Sequence, residues 1–180
     1  MPTGSNFISC NGYATAAKFT PNYAAPFKLS MTINTSLFHT GNGGIFSDRF
    51  DSSLIAISWL EDENSGVDSK IKFVISNKKV SVADGTRLTE TLNKSENYDL
   101  QINYDGHVCL VFLDSLVIGD PIDCSSSFGK LGSPELCYAD VEGKWIGKIT
   151  NLEFKMFGSK LLSNNAKGIY FTVLSFLENN

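Results

Sequence analysis

Glu61-Asp62-Glu63 places three carboxylates in a row, one residue beyond Trp59-Leu60. Glycoside hydrolysis needs two carboxylates held a fixed distance apart across one sugar. Consecutive residues of an extended chain point to opposite faces, so the three carboxylates do not all face one sugar. Glu135, Asp140 and Glu142 are no better spaced. The two histidines, His39 and His107, lie far apart in turn-like sequence, and no serine stands in a G-x-S-x-G setting. The expectation is therefore a protein that is not an enzyme. Binding a sugar without cleaving it asks for less: an aromatic face, and polar groups to fix hydroxyls. Trp59 is the candidate platform, with Arg49, Glu61 and Asn64 as its polar companions.

The four cysteines, Cys10, Cys109, Cys124 and Cys137, form no C-x-x-C and no Cys/His cluster, which argues against zinc. Cys109 reads as a small buried apolar residue inside a strand. If any disulfide forms, Cys124 with Cys137 is the first pair to test. The formal net charge of −4 and the lack of a basic stripe argue against a nucleic-acid partner. No segment is apolar over the roughly 18 residues that a membrane-spanning helix needs. The N-terminal residues show no signal peptide, so the expected setting is a cytoplasm, a trimmed secreted chain or a virion surface.

These side chains need a scaffold, and its elements are legible as alternating runs. Phe27–Ile33 places Phe27, Leu29, Met31 and Ile33 on one face. Gly43–Ser47, Leu54–Leu60 and Lys70–Ser76 are further runs, with Lys78-Lys79 read as part of a turn. Residues 97–119 spell a β-meander, three runs separated by Asp105-Gly106 and Asp114-Ser115. Leu152, Phe154 and Met156 alternate with Glu153 and Lys155 in the last run. The rhythm is that of an all-β sandwich, with a short helix at Leu161–Ala166 as the one helical candidate.

Tyr98–Gly106 followed by Leu110–Asp114 resembles the central hairpin of the laminin-G-like jelly rolls of the concanavalin-A-like group. Phe27–Thr35 with Gly43–Ser47 is similar to that family's opening strands. Trp145–Phe154 with Leu161-Leu162-Ser163 is similar to its closing ones. The resemblance covers roughly residues 12–163 and implies a two-sheet antiparallel jelly-roll sandwich. Asp114-Ser115 departs from it, because the family prefers Asp-Gly there. The expected organisation is a jelly-roll domain over residues 1–165 and an apolar C-terminal extension over 166–180.

The resemblance also implies functions. Laminarinase-like hydrolases of the group carry alternating carboxylates, a spacing absent here, which leaves a sugar-cleaving enzyme as the least favoured alternative. Related domains bind calcium at their rims, so Asp48, Asp51, Asp62 and Asp68 are the metal candidates, with no cofactor strictly required. The primary expectation is a recognition module for a glycan or a cell-surface receptor, carried on a virion or another extracellular surface. The alternative is a structural or assembly protein of a viral particle. Val108, Leu110 and Phe112 lie on the outward face of their strand yet are all apolar. With Phe171 and Phe176 of the extension, they are the candidate contacts to a covering element, to another copy of the chain or to other particle subunits.

Overall fold

A computed structural model describes residues 7–16, 25–50, 53–61, 69–75, 78–81, 92–124, 134–139 and 143–157. Within them the chain is all strand and turn. The elements are β1 (Phe7–Asn11), β2 (Thr15–Ala16), β3 (Phe27–Thr35), β4 (Gly43–Phe50), β5 (Ser53–Glu61), β6 (Ser69–Ile75) and β7 (Lys78–Ser81). They continue with β8 (Asn97–Tyr104), β9 (Val108–Leu113), β10 (Leu116–Asp123), β11 (Pro134–Leu136), β12 (Tyr138–Ala139), β13 (Gly143–Lys144) and β14 (Ile146–Met156). One sheet runs β1-β14-β3-β8-β9-β10, and the second runs β2-β11-β4-β5-β6-β7. All their pairings are antiparallel. This is the expected sandwich, with strands near the two chain ends, β1 and β14, paired side by side.

Alternation builds the core. Every second residue of β3 and of β6 is buried, and these residues meet Ile55, Ile57 and Trp59 of β5 and Leu100 and Ile102 of β8. A fully buried Leu, Ile or Phe side chain contributes roughly 1.5–3 kcal/mol, so period-two burial along long strands supplies most of the drive to close the sandwich. Gly147 lets β14 lie tight against β3: a Cβ there would meet the Asn34 carbonyl oxygen at 2.5 Å and the Trp145 ring at 2.5 Å. Trp145 itself is buried in the core, and its indole N–H donates to Thr35 Oγ1 at 3.2 Å.

Two expectations need correction. Lys78-Lys79 belongs to β7, an edge strand paired to β6, rather than to a turn. The disulfide joins Cys10 to Cys137, with a Cα–Cα distance of 5.2 Å, and leaves Cys109 and Cys124 as buried thiols outside it. Cys10 belongs to β1 of the first sheet, while the Cys137 N–H donates to the Ile45 carbonyl of β4 in the second. The bond therefore ties the two sheets together. The helix candidate at 161–166 and the 166–180 extension lie outside the described residues.

The Asp114-Ser115 departure has a backbone solution. Leu113 and Leu116 pair directly, and Asp114 and Ser115 between them take φ values of 48° and 67°. This is the left-handed pair that a two-residue hairpin turn demands. Asp114 tolerates it by accepting the Asp99 N–H at Oδ1, 2.7 Å away. Ser115 holds a conformation that glycine adopts at lower cost.

Candidate functional site

On the outward face of the first sheet, the side chains that alternation turns away from the core form a polar groove. Its cavity measures about 250 Å³, and Thr32, Asp99, Gln101, Phe112, Ser115 and Asn151 are among its lining residues. Register brings them together from five elements. Thr32 faces Asp99 across β3 and β8, Ser30 faces Gln101, and Gln101 faces Phe112 across β8 and β9. Ser115 comes from the hairpin turn. Asn151 comes from a bulge in β14, where the register against β3 slips between Thr150 and Glu153. Asn151 has a φ of 51° there, and its Nδ2 donates to Thr32 Oγ1 at 3.3 Å. Bulges of this kind re-aim a side chain at the cost of one ladder bond.

The groove is wired by short polar contacts. The Thr32 hydroxyl donates to Asp99 Oδ1 at 2.6 Å, which completes a relay from Asn151 through Thr32 to Asp99. Gln101 Nε2 donates to Asn103 Oδ1 at 3.0 Å. Asn34 Nδ2 donates to Asn97 Oδ1 at 2.9 Å along the same face. Asn103 is buried, and its Nδ2 has no hydrogen-bond partner among the described residues. The result is a shallow depression of amides, hydroxyls and one carboxylate with an aromatic ring in its wall. These groups offer donors and acceptors that can pair with hydroxyls of a ligand.

A second polar cluster stands at the end of the sandwich around residues 36–43, and it reads as structural. The Glu61 carboxylate accepts the Gly41 N–H at 2.8 Å and contacts Lys94 Nζ at 2.6 Å. Burial alone would raise the Glu61 pKa, but Lys94 and the Gly41 N–H outweigh it and hold the carboxyl below its ordinary value. Lys94 also donates to the His39 carbonyl. The His39 ring is buried, and its Nδ1 accepts the Ile146 N–H at 3.2 Å. Its Nε2 has no hydrogen-bond partner among the described residues. Burial pushes the His39 pKa down, with Glu61 working in the opposite direction. These bonds brace a loop whose tip carries Leu37 and Phe38, 67% and 87% exposed.

The structure places the sequence-derived candidates unevenly. Trp59 is fully buried in the core, so it offers no platform to a ligand. Its parity with Ile55 and Ile57 carried that signal. Glu61 is committed to the brace just described. Arg49 is in β4, where its backbone pairs with Leu54. Asp48, opposite Ile55 in β4, is completely buried and not on an open rim. Asn64, Asp51, Asp62, Asp68, Phe171 and Phe176 lie outside the described residues. Among the described residues no group of three His, Cys, Asp or Glu side chains is placed to hold a metal ion. Cys109 and Val111 join the main core, while Leu110 and Phe112 form a separate cluster with Val117, and Val108 is half-buried. Leu110 and Phe112 are buried, packed with half-buried Val117. Of the site candidates, Phe112 alone lines the groove.

The fold defined by these two sheets is the concanavalin-A-like jelly roll, and comparison with solved structures agrees. The chain is similar to a heptameric SAP-like pentraxin from Limulus polyphemus, with 14% identity and a TM-score of 0.58 over 91% of this chain and 83% of that one. It is similar to the enzymatically active domain of tailspike protein 2 from bacteriophage CBA120, with 11% identity and a TM-score of 0.58. That match covers 88% of this chain and 28% of the tailspike chain. It is also similar to Trypanosoma rangeli sialidase, with 9% identity and a TM-score of 0.56 over 86% of this chain and 26% of the sialidase. The chain thus spans about a quarter of the length of the last two. No protein-family model matches the chain, and no curated protein sequence matches it.

Proposed function

We propose that the protein is a non-enzymatic glycan-recognition module whose binding surface is the groove on the outer face of the β1-β14-β3-β8-β9-β10 sheet. The observation that carries this reading is the convergence of Thr32, Asp99, Gln101, Ser115 and Asn151 around one shallow depression. Two of them, Ser115 and Asn151, stand there in left-handed backbone conformations that non-glycine residues rarely adopt. The reading needs no metal, so removing calcium should leave binding unchanged. The Cys10–Cys137 bond fits an oxidising setting, such as an extracellular or virion surface. A glycan array probed with the full chain tests the reading, alongside Gln101→Ala and Asn151→Gly, which keeps the backbone conformation. Each loss of a sugar hydrogen bond should weaken binding by about threefold to tenfold. Silence across a broad array, or undiminished binding by both variants, would refute it.

A second reading has its own observation. Leu37 and Phe38 are held out in solvent by a braced loop, as an assembly contact between subunits of a particle would require. Sedimentation of the full chain against Leu37→Ser/Phe38→Ser tests it. A wild-type oligomer that the double substitution dissociates supports the reading, and an unchanged monomer in both removes it.

A further inference from the structure

We infer that the groove selects neutral sugars and rejects carboxylated ones, with Asp99 as the group that makes the distinction. The inference rests on the glycan-binding reading above. Asp99 is the charged residue of the lining, and no lysine, arginine or histidine stands among the lining residues. Asp99 Oδ1 accepts the Thr32 hydroxyl at 2.6 Å, while Oδ2 accepts no hydrogen bond from a described residue. The carboxylate is therefore fixed through Oδ1 among the lining residues of the groove. A second carboxylate, Asp114, sits behind it and accepts the Asp99 backbone N–H at 2.7 Å. The nearest cations along the face, Lys28, Lys148 and Lys155, stand outside the lining, and Lys148, opposite Asn34, holds its Nζ over the Phe7 ring at 5.6 Å. Lys28 is two residues beyond Ser30 on β3, and its cross-strand neighbour Lys155 is paired with Glu153 at 3.3 Å.

A sugar hydroxyl gives such a carboxylate a charge-assisted O–H···O⁻ bond, stronger than a bond between neutral groups. Thr32 cannot compete for the other oxygen, because its one hydrogen is already spent on Oδ1. A ligand carboxylate brings no donor to Asp99 and meets like charge instead. Its usual partner, a bidentate arginine, is missing from the lining. Selectivity here comes from a repulsive element as well as an attractive one.

The test compares a neutral oligosaccharide with the same core capped by sialic acid or a uronic acid, using the full-length chain. The neutral ligand is expected to bind at least tenfold more tightly at low salt. The ratio should narrow in 0.5 M sodium chloride, where the repulsion is screened. It should narrow again in Asp99→Asn, with the neutral ligand itself bound more weakly. Should that variant fold poorly, the salt dependence of the wild-type ratio carries the test alone. Equal or tighter binding of the acidic ligand, lost in Gln101→Ala, overturns the selectivity and leaves the groove as the site. Failure of both ligands to bind overturns the glycan-binding reading and this inference with it.

Discussion

Replacing Cys10 and Cys137 with alanine should cost more than any single core truncation in this chain. The bond closes a loop between residues 127 apart in sequence. Loop-closure entropy for that length stabilises the folded state by about 5 kcal/mol. Both sites are buried in the core, so the alanines also give up packing where each sulfur stood. For a chain of this size, 1 kcal/mol moves the melting temperature by about 2–4 °C, which puts the expected drop at roughly 10–20 °C. The assay is thermal unfolding by circular dichroism of the wild type, the wild type with reductant, and the double variant. The reduced wild type should fall most of the way to the double variant, because loop closure and not side-chain packing is the larger effect. A drop of less than about 3 °C would refute the reasoning, since it would mean that the two sheets are held in register without the cross-link.

Three further outcomes follow from particular residues. Ser115→Gly should stabilise the chain by about 0.5–1 kcal/mol in urea unfolding, because glycine takes the φ of 67° without the Cβ penalty. Gly147→Ala should destabilise it by about 2–3 kcal/mol in the same assay, since the new methyl would strike the Asn34 carbonyl and the Trp145 ring. The His39 pKa is lowered by burial from 6.5, so its contribution to stability is complete above that value and is lost as the pH falls toward the folded pKa. Wild-type stability should decline below about pH 6.5, and His39→Gln should flatten that limb of the curve when stability is measured from pH 8 to 5.

Strict alternation made β3 and β6 legible from sequence, because in both every second residue is buried and, apart from Thr35 and Ser69 at strand ends, apolar. The meander was legible for the same reason, helped by Asp105-Gly106 at its turn. β1 was not, because Phe7–Asn11 is five residues long and mostly exposed, and pairing with β14 decides its conformation. Trp59 misled on type alone: a tryptophan beside carboxylates suggested a sugar platform, while its parity placed it inside. The groove was invisible for a different reason. Thr32 meets Asp99 across 67 residues and Asn151 across 119, so no window of sequence holds these three groups together. Each one read singly is an ordinary solvated position. One local trace existed, the three-residue step from Ile149 to Leu152, where alternation skips a beat and the bulge turns Asn151 onto the outer face.

The most direct measurement is a backbone amide titration by nuclear magnetic resonance, with a neutral oligosaccharide added to the full-length chain. Saturable shifts centred on Thr32, Asp99, Gln101, Ser115 and Asn151, unchanged by calcium chelation, are expected. Shifts centred instead on the 36–43 loop or on β4 and β5 of the opposite sheet would contradict it.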